Sequence, residues 1–228
     1  DAELAGQFLS RVAERLDLDS QYVFPTFEDA FYYLWRERRL PTNIDPFDAR
    51  LDDPLERERL ARVFTQGLDT VVGHVLPIAR SLIRGGWQTG PWFLRSERCY
   101  LIPGDSPLGY RLPLDSQPWV AKSDYPYVNP PDPTQAFPPL RGYAEIRRQL
   151  DERAQAVRDA DAFAAESCGA PSAFERWPQH KESAAWITRT AMAAQARHGV
   201  LYVFMPPTSN LDDYLELVAA VEVTAREL

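Results

Sequence analysis

The chain has few cysteines and no long hydrophobic run. Only two cysteines, Cys99 and Cys168, occur in 228 residues, and their spacing is not that of a metal site. We interpret them as reduced thiols of a cytoplasmic protein, with a disulfide between them left open. No apolar run approaches the roughly 18 to 20 residues that a membrane-spanning helix needs, and no basic and apolar signal segment opens the chain.

The chain also has fewer basic than acidic residues. The chain carries 25 Lys and Arg against 33 Asp and Glu, which gives a net charge of −8. A surface of this sign repels phosphate backbones and anionic lipid headgroups, so we expect neither a nucleic acid nor a membrane among the partners. No group of His or Cys residues has the spacing of metal ligands, and no glycine-rich phosphate loop is present.

Hydrophobic residues are abundant enough to build a core. They make up 45% of the chain, and aromatic residues make up 12%, which suits one large domain or two small ones. The chain starts without Met and ends inside a helical pattern, "EVTAREL". We therefore expect an internal piece of a longer polypeptide, whose flanking domains are its first partners.

Helical patterns dominate residues 1–70. Apolar residues recur on one helical face over residues 2–17. Residues 25–40 predict a second helix with Thr26 as its cap. Asp53 followed by Pro54 predicts the start of a third helix. We therefore assign 1–70 to a helical N-terminal segment.

Strand patterns appear from residue 71 onward. A β-branched run fills 70–79, and two strand pairs follow, one over 92–114 and one over 186–205. The run Val200–Met205 is apolar on both faces, which is typical of a central strand. A final helix is predicted from about Asn210. We predict an α+β domain over 71–228, with an antiparallel or mixed sheet built from the two hairpins and with flanking helices.

Two segments interrupt this domain. Residues 117–142 are rich in proline, which excludes regular structure, and a loop of this length is usually functional or disordered. Its aromatic residues, Trp119 and Tyr125 among them, suggest that it packs on something. Residues 143–185 predict a helical insertion that begins with a charged helix.

The first hairpin contains the most unusual stretch, "CYLIPGDSPLGYRLPL" at residues 99–114. With 103–107 as its loop, Ile102 faces Leu108 and Tyr100 faces Tyr110. Pro103-Gly104 fits the centre of a type II turn, because Pro fixes the first φ and Gly accepts a positive second φ.

A different interpretation makes Ser106 the nucleophile of a Gly-Asp-Ser hydrolase of the esterase kind. That chemistry needs a general base within hydrogen-bond reach of the serine and a helix behind it. Such enzymes carry Asp and His near the C-terminus, where this chain has no His. The residues after Ser106 have a strand pattern, so we favour the hairpin.

Arginines lie among the apolar residues of this hairpin. A buried unpaired charge is costly, so Arg95, Arg98 and Arg111 each need a partner. The structural candidates are Glu97, Asp105 and Asp115. The alternative is an anionic group of a substrate or nucleotide, because guanidinium binds carboxylate and phosphate through paired hydrogen bonds.

Carboxylates crowd the stretch "NIDPFDARLDD", where they occupy positions 45, 48, 52 and 53. Several oxygens suit a hard cation. We favour a structural interpretation, in which Asp53 caps a helix and the other acids lie in turns.

Several segments are long and unusual: "PTFEDAFYYLWRERRLPTNIDPFDARLDDPLERERLARVFTQGL", "VLPIAR", "YLIPGDSPLGYRLPLDSQPWV" with "DYPYVNPPDP", and "LYVFMPPTSNLDDYLELVAAVEVTA". Together they resemble the amidoligase region of large bacterial transglutaminase-like proteins, a glutamine-synthetase-like COOH–NH2 ligase family. The resemblance spans most of residues 3–142 and 186–228.

This resemblance implies a cytoplasmic, multidomain protein with a transglutaminase-like domain ahead of this chain. It also implies ATP-dependent formation of amide or isopeptide bonds, with ATP and Mg²⁺ as cofactors of the longer protein. Ligases of that kind hold Mg-ATP on clustered Glu and His residues of a sheet. We cannot place such a cluster in this sequence, so we assign no cofactor and no metal to these 228 residues, and we expect them to be inactive alone.

We expect this chain to be the middle portion of the ligase, shaping a substrate or nucleotide cleft that accepts a peptide or an amino acid. The candidate cleft residues are Arg98, Asp105, Ser106, Arg111 and Asp115 around the first hairpin, with Asn43 and Asp45 in the adjoining loop. The arginines would hold an anion, Asp105 would orient them or help bind a cation, and Ser106 would donate a hydrogen bond. The alternative is a structural or docking module between domains, with the arginines in internal ion pairs.

Overall fold

The computed structural model describes residues 2–29, 31–32, 54, 65, 67, 69–81, 85–94, 98–104, 106–125, 134, 136, 139–163 and 176–228, with the backbone alone over 157–163. Three α-helices have both ends within these residues: α1 (Ala2–Arg15), α2 (Tyr143–Phe163) and α3 (Leu211–Glu227). The strands are β1 (Phe24–Glu28), β2 (Val71–Pro77), β3 (Ala79–Arg80), β4 (Trp87–Gln88), β5 (Cys99–Pro103), β6 (Tyr110–Arg111), β7 (Ala191–Arg197) and β8 (Val200–Phe204). Short 3-10 turns cover Ser20–Tyr22 and Leu114–Ser116.

Six of these strands form one sheet in the order β6-β5-β1-β2-β7-β8, and β3 pairs with β4 in a small second sheet. β1 runs parallel to β5, and the other neighbouring strands of the large sheet are antiparallel. The two predicted hairpins, β5–β6 and β7–β8, lie at the two edges of this described sheet, and β1 and β2 join them through the middle. The prediction of an α+β fold with a mixed sheet and a helical start is confirmed.

Strand β1 corrects our prediction for residues 25–40. The helix that we predict from Thr26 is wrong at its start, because Phe24–Glu28 pairs with both β2 and β5. Thr26 is 1% exposed in the middle of that strand. Asp29 takes the capping role instead, and its Oδ1 accepts hydrogen bonds from the backbone N–H groups of Phe31 (2.9 Å) and Tyr32 (3.3 Å).

The first hairpin is confirmed as a strand pair, but its predicted register is wrong by three residues. Ile102 pairs with Arg111, and Pro103 pairs with Tyr110. The positive φ of the loop falls at Gly109 (76°) and not at Gly104, so the type II turn at Pro103-Gly104 is wrong too. A backbone hydrogen bond of 3.0 Å from the Gly104 N–H to the Gly109 carbonyl closes the longer loop.

The second hairpin turns at His198 (φ 51°) and Gly199 (φ 79°), a pair of positive φ values typical of a two-residue type I′ turn. Our prediction that Val200–Met205 is a central strand is wrong, because β8 pairs with β7 and ends the described sheet. Its apolar character has another cause. Leu201 and Val203 pack on the core, whereas the rings of Tyr202 and Phe204 lie under the Arg197 guanidinium at 5.4 and 5.3 Å.

Helix α1 lies in the centre of the main core. It packs on β2 and β7 and also contacts α2 and α3. Phe8, Leu9 and Val12 are at most 2% exposed, and they belong to the same buried cluster as Leu150 of α2 and Leu217 of α3. Burying each such side chain contributes about 1.5–3 kcal/mol, so α1 holds the sheet and the two longer helices together.

Both later helices follow the sequence prediction. α3 begins after Asn210, whose Oδ1 accepts a hydrogen bond of 2.8 Å from the Asp213 N–H. α2 opens the predicted insertion at 143–185, and residues 164–175 of that insertion lie outside the described part of the chain. The division into 1–70 and 71–228 stays a prediction.

The proline-rich segment has no helix or strand over residues 117–125, which follow the 3-10 turn Leu114–Ser116. Its aromatic residues Trp119 and Tyr125 are 61% and 60% exposed. These two rings are not what packs the segment, but its backbone does lie against residues 183–189: the Ala184 N–H donates to the Trp119 carbonyl at 2.9 Å, and the Ala121 N–H donates to the Ser183 hydroxyl at 2.9 Å. Of the helices in the described residues, none is both long enough and apolar enough to cross a membrane.

Candidate functional site

The predicted site residues fall at the two ends of β5. Arg98 directly precedes this strand, whereas Ser106 and Arg111 belong to the hairpin beyond its other end. At about 3.3 Å per residue, the backbone from Arg98 to Pro103 spans roughly 16 Å. The structure therefore places Arg98 apart from Ser106 and Arg111, and their common role as anion-binding residues stays a prediction.

Arg98 is held at the surface by two contacts. Its Nη1 donates to Oδ1 of Asp69 at 2.5 Å, and its guanidinium carbon lies 4.8 Å from the centre of the Phe27 ring. The hydrogen bond to Asp69 is the main cause that raises the pKa of Arg98. Arg98 is thus a permanent cation whose described carboxylate partner is Asp69 and not the predicted Asp115.

Two of the predicted site residues, Ser106 and Arg111, have contacts within their own hairpin. The third, Asp115, is exposed. The Ser106 hydroxyl donates to the Tyr110 carbonyl at 2.9 Å within its own hairpin, and a strand follows where an esterase would have a helix. The Arg111 side chain lies flat on Gly104, since a Cβ at that glycine would be 2.7 Å from Arg111 Cγ. Asp115 is exposed in a 3-10 turn.

The remaining predicted residues lie outside the described part of the chain. They are Asn43, Asp45 and Asp105, together with Arg95 and Glu97. The carboxylates at 48, 52 and 53 and the thiol of Cys168 lie outside it as well.

A buried carboxylate lies beside the first hairpin, and our sequence reasoning missed it. Glu28 at the end of β1 is 7% exposed, and its Oε2 accepts a hydrogen bond of 3.1 Å from the Tyr110 hydroxyl. The strand pairs Glu28 with Leu101 of β5. Because we predict a helix over this segment, Glu28 is not recognised as a carboxylate of the sheet.

Arg197, at the end of β7, contacts the loop of the first hairpin at the opposite side of the sheet. Its guanidinium donates to the carbonyls of Pro107 and Leu108 in the first hairpin loop and to Oε1 of Gln195. These contacts connect β7 to the loop between β5 and β6. The sheet is therefore curled, and the hairpin that contains Ser106 is anchored at its tip.

The opposite end of the β1–β5 pair forms an open groove of about 570 Å³. Its walls are aromatic, with Tyr22, Phe24, Phe27, Trp92 and Trp177 among the lining residues. The Phe24 and Trp92 rings lie 5.6 Å apart at a tilt of 54°. Arg98 and Cys99 complete the lining where β5 begins.

The thiol of Cys99 in this groove is buried and weakly reactive. Cys99 is a free cysteine that is 2% exposed. Burial raises its pKa to about 12, so almost none of it is thiolate at neutral pH. Cys99 is therefore a packing residue of the groove floor and not a nucleophile.

A charge network covers the first turns of α3. The carboxylate of Glu216 is 1% exposed and contacts three arginines: Arg153 at 2.6 Å, Arg141 at 2.8 Å and Arg80 at 3.7 Å. Asp213 lies 3.3 Å from Arg80. Each charge of the network faces an opposite charge, which is what buried ions require.

The described residues do not fit the metal that the family resemblance implies. No three His, Cys, Asp or Glu side chains of the described part of the chain come together as a metal site. The acidic cluster on α3 is neutralised by arginines, whose positive charge opposes a cation. We therefore assign no step of chemistry to a metal or to ATP within these residues.

The fold is an α+β domain whose mixed sheet carries an aromatic groove at one end of the β1–β5 pair. A family model described as "Putative amidoligase enzyme (DUF2126)" matches residues 1–228. The chain belongs to this amidoligase family. No curated protein and no solved structure is significantly similar to it.

Proposed function

We propose that this chain is one portion of an ATP-dependent ligase that forms amide or isopeptide bonds, and that it shapes a cleft for a substrate or a nucleotide. The observation that carries this proposal is the family match over all 228 residues. An amide bond joins a carboxylate to an amine with loss of water, so such a ligase needs a surface that selects a carboxylate. The β1–β5 pair supports this role, since one of its ends has an aromatic groove with an arginine.

Polar residues of the proposed cleft lie at the other end of the β1–β5 pair. Glu28 and Tyr110 meet there in a buried hydrogen bond, beside the loop that Arg197 anchors. We include the predicted Arg111, Asp105 and Asp115 in this proposed cleft. The transglutaminase-like neighbour domain, the cytoplasmic location and the bacterial source implied by the resemblance belong to the proposal too.

A docking module without chemistry is the second candidate. The observation in its favour is that several described arginines already pair with carboxylates of the same chain: Arg98 with Asp69, and Arg141 and Arg153 with Glu216. The exposed ring of Trp119 would then contact a neighbouring domain or partner chain.

Nucleotide binding is the first test of the proposed cleft. The melting temperature of the 228-residue chain is measured with ATP, AMP-PNP and ADP, each with and without Mg²⁺, and with sodium tripolyphosphate as a control for charge. A ligand present at 100 times its Kd stabilises the folded state by about 2.7 kcal/mol, which raises Tm by roughly 5–11 °C at this chain length. A Mg²⁺-dependent rise with nucleotide alone supports a nucleotide cleft within the chain.

An unchanged Tm would remove the nucleotide cleft and leave a substrate-side or docking role. The polypeptide with its flanking domains then decides between these two. Arg111→Ala should weaken ligand binding or ligase activity there if the hairpin belongs to the cleft. Unchanged affinity and activity in Arg111→Ala, with Arg226→Ala as a control on the far end of α3, would contradict the site assignment.

A further inference from the structure

One tryptophan that lines the aromatic groove, Trp177, has most of its side chain exposed to solvent. Trp177 is 67% exposed, although its ring lies 4.9 Å from that of Phe93. An exposed aromatic ring on a rigid neighbour provides a large contact area at low entropic cost, and such residues dominate binding energies. Trp177 lines the groove together with the ring pair Phe24 and Trp92.

Arg98 is the one cation among the described residues that line this groove. Its side chain is 45% exposed, and that of its partner Asp69 is 86% exposed. Ion pairs in such exposed positions contribute little to stability, so a ligand carboxylate can replace Asp69 at small cost. The contact with the Phe27 ring keeps the guanidinium at the groove when that exchange occurs.

From this juxtaposition we propose that the groove binds a peptide that ends in an aromatic residue with a free carboxylate. The aromatic side chain lies against Trp177 and the Phe24–Trp92 pair, and the carboxylate pairs with Arg98. This inference rests on the proposed function, because it makes the bound peptide the carboxylate donor of the amide bond.

Charge and shape favour a carboxylate over a nucleotide in this groove. A nucleoside triphosphate carries several negative charges and is held by several cations or by a row of backbone N–H groups. The described lining has a single guanidinium, and it faces an aspartate. One cation beside aromatic walls matches a ligand with one negative charge and one flat apolar group.

The test uses N-acetyl-alanyl-phenylalanine and its C-terminal amide as probes. Binding to the ¹⁵N-labelled 228-residue chain is followed by the indole N–H resonances of its tryptophans. We expect the acid to bind with a Kd of about 1 mM or tighter. The amide, and N-acetyl-alanyl-glycine as the acid without a ring, should each bind about tenfold more weakly, since each lacks one of the two contacts.

Two variants and two matched controls locate the binding site. Arg98→Gln and Trp177→Ala should each weaken binding of the acid about tenfold, and Arg98→Gln should abolish the preference for acid over amide. Trp119→Ala replaces a tryptophan that is 61% exposed outside the groove. Arg226→Gln replaces an arginine that is 57% exposed and paired with Glu222. Both controls should bind like the wild type.

Any of four results would overturn the proposal. The first is no binding of the acid up to 10 mM, about ten times the expected Kd, and the second is equal affinity for the acid and the amide. The third is wild-type binding by Arg98→Gln and Trp177→Ala. The fourth is binding of AMP to the groove with a lower Kd than that of the acid. The nucleotide thermal shift is measured without peptide, so it reports nucleotide binding separately from peptide binding. A failed groove with a retained Mg²⁺-dependent shift would therefore leave the proposed ligase role standing, and the reverse result would remove only the nucleotide cleft.

Discussion

Replacing Glu216 by glutamine tests whether the charge network on α3 stabilises the fold. Glutamine keeps the shape of the side chain but removes its charge, and its amide N–H₂ group then faces guanidinium groups. Three arginines stay within 3.7 Å of the position without their common carboxylate. Each arginine then lacks the Glu216 carboxylate, and its side chain is only partly exposed to water.

The expected loss follows from the burial of the two sides. Removing one member of a buried ion pair costs about 3–5 kcal/mol. Glu216 is 1% exposed, whereas Arg80, Arg141 and Arg153 are 34%, 24% and 34% exposed. Water can solvate the arginines in part, so we expect the lower limit, about 3 kcal/mol. At this chain length that loss lowers Tm by roughly 6–12 °C.

Acidification should have the same effect on the wild type. Burial raises the pKa of Glu216, but the hydrogen bonds from Arg141 and Arg153 outweigh it, so this pKa lies below its ordinary value. A carboxyl whose folded pKa is depressed contributes stability above its unfolded pKa, near 4.3 for Glu, and loses it as the pH falls through the folded pKa. Glu216→Gln should therefore flatten the acid side of the stability profile.

Urea unfolding at pH 7 and at a series of lower pH values measures both effects. The matched control is Glu222→Gln on the same helix, where the carboxylate is 40% exposed and pairs with Arg226. Exposed pairs of this kind contribute up to about 0.5 kcal/mol. If Glu216→Gln is no less stable than Glu222→Gln at pH 7, the network does not stabilise the fold and our reasoning about it is wrong.

Three further predictions concern the sheet. Gly73→Ala should lose about 1–3 kcal/mol in urea unfolding, because its Cβ would lie 2.7 Å from the Ala194 carbonyl oxygen of β7, whereas Gly142→Ala has nothing within 4 Å and should stay near wild type; equal stabilities would contradict this. In a Cys168→Ser background, Cys99 should react with Ellman's reagent at pH 8 only as fast as the protein unfolds, because its side chain is 2% exposed and the reagent cannot reach it in the folded protein, and a fast native reaction would show that the groove floor is open. Arg197→Lys should accelerate hydrogen exchange at the Gly104 and Gly109 amides of the first hairpin loop, since it removes the forked contact to the Pro107 and Leu108 carbonyls; unchanged exchange there would show that the loop does not depend on this contact.

Elements with local signals were predictable from the sequence. The apolar stripe of α1, the cap of α3 at Asn210 and the turn at His198-Gly199 depend on residues close together in the chain. The hairpin 99–111 was predicted as a pair, but its register depends on which glycine takes the positive φ. Either Gly104 or Gly109 can adopt a positive φ, and in the structure Gly109 is the one that does.

Long-range pairing explains what the sequence did not reveal. The segment around Thr26 has both a cap residue and aromatic residues, and only its pairing with β2 and β5 makes it a strand. The acids of α3 have the spacing of a solvated helix face. Their partners, Arg80 and Arg141 among them, come from distant parts of the chain, so no local pattern marks Glu216 as buried. A strand assignment for 24–28 would have identified Glu28 as a sheet carboxylate.

The sheet order sets the sequence in which the molecule can be assembled. β1 joins the middle of the sheet by pairing Thr26 with Cys99, and β2 completes its other side by pairing Val75 with Ala193. Contacts between residues so far apart form slowly, because a long loop must close before they are gained. On the ribosome, β1 and β2 emerge long before β7 does, and the edge of β2 that pairs with β7 stays unpaired until β7 has been synthesised. An unpaired strand edge can pair with other chains, so this interval is the one in which the β2 edge is open to such pairing.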